Sequence, residues 1–314
     1  MTENPHGTLS TVTPLDRSWT ASAIDEATYE ALAEGLPASE VWSLLLGVLA
    51  RRAEGRAPAE LLRQWEQDRF VQPAFIDQRT LNALDGHLLA AAEGFEAIEL
   101  SPLAPLGSCS AVGLASQNKT VSTARGTEVV SDPTNGMALE CARRLRRDPG
   151  QVVRLATCHR CVRAQEIPKR PGHAAHFRLF GLATAGRERK DHDFTVEALG
   201  EQIATHLTAL DRLGRHGYAI SDVRVKILST PARAGLADRI AASVRAASVS
   251  RETFDHPYYD GLRFMLNIRG LQGNDLFLAD GGAFDWLRKL TSNRRLTFVA
   301  SGMGSQLLAY LCRA

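Results

Sequence analysis

His256-Pro257-Tyr258-Tyr259-Asp260-Gly261-Leu262 is followed by Ala279-Asp280-Gly281-Gly282-Ala283-Phe284-Asp285-Trp286-Leu287 and then by Ser301-Gly302-Met303-Gly304, and these three runs decide the fold. Short apolar stretches of strand length lie at 261–269, 276–278 and 296–300, and helices are predicted over 284–290 and 305–312. Strands that pair as hairpins, interrupted by helices without strict alternation, predict an α+β fold with an antiparallel sheet.

Working back towards the N-terminus, helical periodicity covers 195–214 and 236–247, with an alternating strand at 223–228 between them. Two β-rich runs, 151–162 and 176–185, are joined by the turn-rich Ile167-Pro168-Lys169-Arg170-Pro171-Gly172 and predict one long hairpin. A helix over 135–146 precedes it, and a smaller hairpin is expected about Arg125-Gly126, after a Gly, Ser and Asn-rich stretch at 107–119. Leu81-Leu84-Leu88-Leu89 repeats with helical period, and 95–100 reads as a strand ended by Pro102 and Pro105. From 21 to about 70, three short helices are separated by Gly35-Leu36-Pro37 and Gly55-Arg56-Ala57-Pro58. The expected organisation is a helical N-terminal extension over 1–75 and a core over 76–314.

The chain has 314 residues, 44% of them apolar and 23% charged, which is ordinary globular composition. Its 37 basic and 35 acidic residues nearly cancel to a formal charge of +2, so no overall field marks it for nucleic acid. Arg143-Arg144-Leu145-Arg146-Arg147 ends a helix, where cations complement the dipole, and reads as solvated. Residues 1–17 lack the charged start and apolar run of a secretory signal, and the apolar run 41–50 is too short to span a bilayer. A soluble, cytoplasmic protein with no membrane partner is expected, its five cysteines reduced. His87, His206 and His216 are assigned to helices or helix surfaces, without a role.

The order of helix, strand and proline, then a long hairpin carrying an arginine, then a Gly-rich strand and a terminal helix resembles the three motifs of class II aminoacyl-tRNA synthetases. The histidyl branch is the most similar. The resemblance runs from about Thr80 to the C-terminus and implies a homodimer formed through the first motif, here 81–100 with Pro102. In the second motif an arginine and a glutamate grip the α-phosphate and adenine of ATP, and a phenylalanine stacks on the base. Arg163, Gln165 and Phe177 match that layout, with glutamine replacing glutamate, and His173 matches a loop histidine near the phosphates. The resemblance thus implies Arg163 and His173 as catalytic groups and ATP with Mg2+ as cofactor. A guanidinium suits phosphate because its planar fork offers several donors at once.

Tyr258 and Tyr259 resemble the double tyrosine of the histidyl signature, although its preceding arginine is missing. Gly281 and Gly282 resemble the family's Gly-Gly-Arg-Tyr-Asp run with Ala283 in the arginine's place, and Asp132 and Thr134 match a strand that contacts substrate. These six residues are the implied substrate site. Gly302 and Gly304 match the start of the third motif's Gly-x-Gly-x-x-Arg, but Leu307 stands where the γ-phosphate arginine belongs. Losing that charged hydrogen bond costs on the order of 2 to 5 kcal/mol of nucleotide binding.

The anticodon-binding domain of histidyl enzymes is not in the sequence, which ends at Ala314, so no anticodon recognition is expected. Truncated relatives are of two kinds. One is a stand-alone paralogue that binds an amino acid or small carboxylate and activates or ligates it with ATP outside translation, the reading adopted here. The alternative is a non-catalytic regulatory subunit similar to the histidyl-like subunit of ATP phosphoribosyltransferase, which needs a catalytic partner protein. Separately, Cys158, Cys161, His173 and His176 give C-x2-C-x11-H-x2-H, near the spacing of small zinc sites. Cys158 and Cys161 point to opposite faces of a regular strand, so buried thiols and no bound zinc are expected.

Overall fold

A computed structural model describes residues 24–166, 173–245 and 247–313. The turn expected at 167–172 and the N-terminal stretch 1–17 fall outside the described residues. In chain order the elements are α1 (Glu26–Glu30), α2 (Ala38–Glu54), α3 (Pro58–Gln67), α4 (Gln78–Ala91), β1 (Glu96–Ala97), β2 (Leu103–Pro105), β3 (Thr127–Val129), α5 (Pro133–Arg147), β4 (Val153–Val162) and β5 (His176–Arg187). They continue with α6 (Asp193–Arg215), β6 (Ser221–Ser229), α7 (Ala234–Ser243), β7 (Ser248–Thr253), β8 (Leu262–Arg269), β9 (Asp275–Phe284), α8 (Trp286–Thr291), β10 (Leu296–Met303) and α9 (Ser305–Leu311).

Eight strands form one sheet in the order β1-β4-β5-β10-β9-β8-β6-β7. The inner six are antiparallel, and the short edge strands β1 and β7 pair parallel to β4 and β6. The predicted antiparallel sheet flanked by helices is thus observed. Alternation along the strands divides the core between two faces. On one face, Phe180 and Leu182 of β5 meet Leu84 and Leu88 of α4, Leu210 and Leu213 of α6 and Leu308 of α9. Val225, Ile227 and Val299 pack there too, against Leu199 and Ile203 of α6 and Ile240 of α7. On the opposite face Leu155, Ala183, Phe298 and Ala300 meet Met137, Cys141 and Leu145 of α5 and Leu287 of α8.

Several boundaries differ from expectation for identifiable reasons. Strands β9 and β10 run on through Gly281-Gly282 and Ser301-Gly302, because each is paired on both sides and the ladder holds residues whose intrinsic strand preference is weak. The stretch 95–100 keeps only two ladder residues, followed by one further bond from Ile98 N to Ala156 O at 2.9 Å. Helix α7 stops at Ser243, and the chain turns into β7, whose exposed, mostly polar residues carry no apolar alternation to betray a strand.

His206 departs most from its expected place. It is 0% exposed, because α6 lies across the middle of the sheet. Gln202 donates from Nε2 to Thr184 Oγ1 (3.1 Å) and Val299 O (3.0 Å), and its Oε1 accepts from Ser301 Oγ at 2.8 Å. With the Ser301 proton so committed, the 2.8 Å contact to His206 requires a proton on Nε2. Nδ1 is left bare and without a partner. Burial pushes the imidazole pKa down to about 3, so His206 is neutral near pH 7.

The N-terminal helices α1, α2 and α3 bury none of their residues, although Leu44, Leu49, Leu61, Leu62 and Trp65 are large and apolar. Trp42 lies beside Gly126, the left-handed residue (φ +65°) of the expected small hairpin. Among the described residues no helix is long and apolar enough to cross a membrane.

Candidate functional site

Three elements converge where β4 ends. Arg163 follows β4 and is fixed by its N–H to Ala175 O at 2.9 Å. Its Nε donates to Ser131 O (3.0 Å), its Nη2 reaches Asp132 Oδ2 at 3.3 Å, and its guanidinium carbon lies 5.0 Å from the centre of the Phe177 ring. Asp132 is the N-cap of α5, and its Oδ1 accepts from Thr134 N (3.0 Å) and Thr134 Oγ1 (2.7 Å). One carboxylate thus starts a helix and holds the arginine, a capping role worth about 0.5–2 kcal/mol.

A loop roofs this corner. Glu128, buried on β3, draws it in by accepting from Gly107 N (2.9 Å), Cys109 N (2.8 Å) and Gln117 Nε2 (2.7 Å). Lys119 closes the roof onto the hairpin, its carbonyl accepting from Ala164 N at 2.9 Å. Beneath it is a cleft of ≈ 60 Å³ lined by Asp132, Arg163, Gln165 and Tyr258, with Cys109, Gly113, Ala115, Lys119, Ser131 and Asn135. Tyr258 packs edge-on to Phe284 and Trp286, and burial holds its phenol well above its ordinary pKa of 10. Burial likewise pushes the Cys109 thiol up, leaving it protonated at neutral pH.

Of the residues expected at the site, Asp132, Arg163, Gln165 and Tyr258 share the cleft, and Phe177 joins them through Arg163. Thr134 contributes through Asp132. Tyr259 lies apart: its hydroxyl donates to Asp280 Oδ2 (2.8 Å), which also accepts from Arg263 Nη2 (2.8 Å). Gly281 and Gly282 are occupied by the protein itself. A Cβ on Gly281 falls 2.3 Å from Ser301 Cβ, and one on Gly282 falls 2.4 Å from the Tyr259 ring. Gly304 donates to Leu278 O at 3.0 Å, whereas Gly302 faces open space. His173 is exposed outside the cleft lining, and Leu307 is half-buried on α9.

Six lining residues escaped the sequence reading: Cys109, Gly113, Ala115, Lys119, Ser131 and Asn135. Asn135 directly follows Asp132-Pro133-Thr134, and that adjacency was the available signal. Cys158 and Cys161 sit in separate clusters, the first against Leu84 and Phe180 and the second against Ala104 and Val130. His176 Nε2 contacts Gln72 O at 2.7 Å. Among the described residues no group of three His, Cys, Asp or Glu side chains is placed to hold a metal ion.

Solved structures share this architecture. Apo histidyl-tRNA synthetase of S. aureus is 13% identical with a TM-score of 0.53, over 74% of this chain and 64% of that one. An ATP phosphoribosyltransferase regulatory subunit/histidyl-tRNA synthetase from Bacillus halodurans is 17% identical with a TM-score of 0.56, over 76% and 81%. The fold is that of a class II synthetase-like core. A histidine–tRNA ligase subunit from Alicyclobacillus acidocaldarius, 12% identical with a TM-score of 0.56, aligns over 81% of this chain and 96% of its own. The chain spans less than two thirds of the length of the S. aureus synthetase. No family model matches the sequence, and no curated protein matches it.

Strands β4 and β5 form the long hairpin expected from the sequence, with Phe177 opposite Cys161 and the Arg163 guanidinium reaching over the Phe177 ring. Gly302 lies near the end of β10 facing open space, and Leu307 lies in the first turn of α9. Arg163 and Phe177 are side chains of the kinds that take a phosphate and stack on a base, and they lie together, 5.0 Å from guanidinium carbon to ring centre. No arginine stands at the third-motif position.

Proposed function

We propose that this protein binds a small amino acid in the cleft and activates it with ATP, outside anticodon-directed aminoacylation. The observation that carries the reading is the Asp132–Arg163 ion pair in a narrow cleft beside Tyr258. A zwitterion exchanges that internal pair for two external ones: its carboxylate faces Arg163 and its ammonium faces Asp132. The cleft of ≈ 60 Å³ favours a ligand of few atoms, since sites for drug-sized ligands measure about 300–1,000 Å³. Phe177 and Arg163 support the nucleotide half of the reading, with Gln165 lining the same cleft as Arg163. When bound, MgATP supplies a leaving group that makes a carboxylate reactive. Arg163 orients the reacting phosphate, and the roof over 107–119, drawn in by Glu128, restricts water at the cleft.

A second reading, a regulatory subunit that senses an amino acid for a catalytic partner protein, is favoured by Leu307 in the third-motif position. Dimerisation through the first-motif elements α4 and β1 belongs to both readings. Calorimetric titration with MgATP and with glycine, L-alanine and L-serine, followed by amino-acid-dependent exchange of pyrophosphate into ATP, separates them. Exchange that Arg163→Ala abolishes establishes activation. Amino-acid binding without nucleotide binding establishes the sensor.

A further inference from the structure

The charged side chains that line the cleft are Asp132, Arg163 and Lys119. Asp132 is paired with Arg163, whereas the Lys119 ammonium makes no ion pair or hydrogen bond among the described residues. The other titratable groups of the lining carry no charge, since burial keeps the Cys109 thiol and the Tyr258 phenol protonated. Glu128 stands behind the roof, its oxygens given to Gly107 N, Cys109 N and Gln117 Nε2 and not to the ammonium. Two cations therefore share the lining with one anion.

The backbone fixes where Lys119 stands. It ends a short turn in which its N–H donates to Ser116 O (3.0 Å) and Thr120 N donates to Gln117 O (3.0 Å), and Gln117 is itself held by Glu128. Its carbonyl accepts from Ala164 N at 2.9 Å, which straps Lys119 to the residue after Arg163. Lys119 is half-buried, so part of it stays open to an arriving ligand. Phe177, the base-stacking group of the nucleotide reading, does not line this cleft. Lys119 thus shares the space assigned to the amino acid, not to the base.

We infer that the cleft selects an α-amino acid with a short acidic side chain, whose second carboxylate pairs with Lys119. This deepens the reading of the cleft as an amino-acid site and rests on it. A neutral zwitterion engages Arg163 and Asp132 and leaves Lys119 without a counter-charge. An acidic amino acid matches all three side chains, and a cleft with an excess of one sign concentrates ions of the other. At ≈ 60 Å³ the cleft favours the shortest such acid, aspartate.

The test uses the whole protein and one isosteric pair, L-aspartate and L-asparagine, with glycine as a neutral reference, titrated calorimetrically into wild type, Lys119→Met and Lys119→Arg. Wild type is expected to bind aspartate at least about tenfold more tightly than asparagine, the effect of one charge-assisted hydrogen bond. In Lys119→Met the two bind alike, through weaker aspartate binding with asparagine and glycine unchanged, and in Lys119→Arg the preference returns. Because the Lys119 side chain bonds to nothing in the protein, Lys119→Met keeps the melting temperature of wild type, which a structural role would not allow. Loss of MgATP affinity in Lys119→Met with the aspartate preference intact places the ammonium on the phosphates and overturns the inference. Equal binding of aspartate and asparagine by wild type also overturns it and leaves the amino-acid reading standing. Failure of wild type to bind any of the three at millimolar concentration overturns both.

Discussion

Asp132 and Arg163 meet at 3.3 Å while the other oxygen of the same carboxylate caps α5 through Thr134, so one residue couples the start of a helix to the charge of the cleft. Both side chains are about a quarter exposed, which limits the pair's own contribution to stability to around 1 kcal/mol. Asp132→Asn keeps a capping group and removes the charge. It is expected to cost less than about 1 kcal/mol in a denaturant titration, yet to weaken amino-acid binding at least tenfold. A stability loss of several kcal/mol with binding intact would show that the pair is structural only.

Leu307 stands at the third-motif position, with room above Gly302. Leu307→Arg supplies the missing guanidinium, and one charge-assisted hydrogen bond to phosphate is worth about 1.5–3 kcal/mol. MgATP affinity is expected to rise roughly tenfold or more by calorimetry. No gain would mean that another cation already serves the phosphates.

His206 makes stability depend on pH. Its folded pKa of about 3 lies below its ordinary 6.5, so between these values the unfolded chain binds the extra proton and stability rises with pH. The contribution is complete above pH 6.5 and is lost as pH falls towards 3, with a slope approaching about 1.4 kcal/mol per pH unit inside the window. His159, also pushed down by burial, adds in the same direction, whereas Asp85, raised by burial, opposes it. Melting temperatures measured from pH 7 to pH 4 should fall less steeply in His206→Gln than in wild type. Equal slopes would remove His206 as a cause.

Gly281 admits no side chain, since an added Cβ lies 2.3 Å from Ser301 Cβ, 2.6 Å from Ala300 O and 2.8 Å from Phe264. Two of these contacts are to rigid groups, so Gly281→Ala must push β9 and β10 apart. The expected cost is about 1–3 kcal/mol, read as a drop of several degrees in thermal melting. An unchanged melting temperature would show that the strands separate freely there.

The sheet and the second-motif hairpin were legible because hydrophobic alternation over β4, β5, β6 and β8 is a local signal. The residues Arg163, Phe177, Asp132 and Tyr258 were legible only through their resemblance to the motifs of class II synthetases. The edge strand β7 was not, because nothing apolar marks it and only pairing with β6 makes it a strand. His206 was misplaced because helical period indicates a buried stripe without revealing that Gln202 and Ser301 will satisfy a polar residue within it.

By itself, then, the sequence determined the order of elements and the antiparallel sheet, since periodicity is a property of neighbours along the chain. Only the tertiary structure decided what each cleft atom has for a partner. Arg163 is claimed by Asp132 and Ser131, whereas Asn135 Oδ1 has no partner. Hydrogen bonding and close contact join atoms distant in sequence, and the chain must fold before they are fixed.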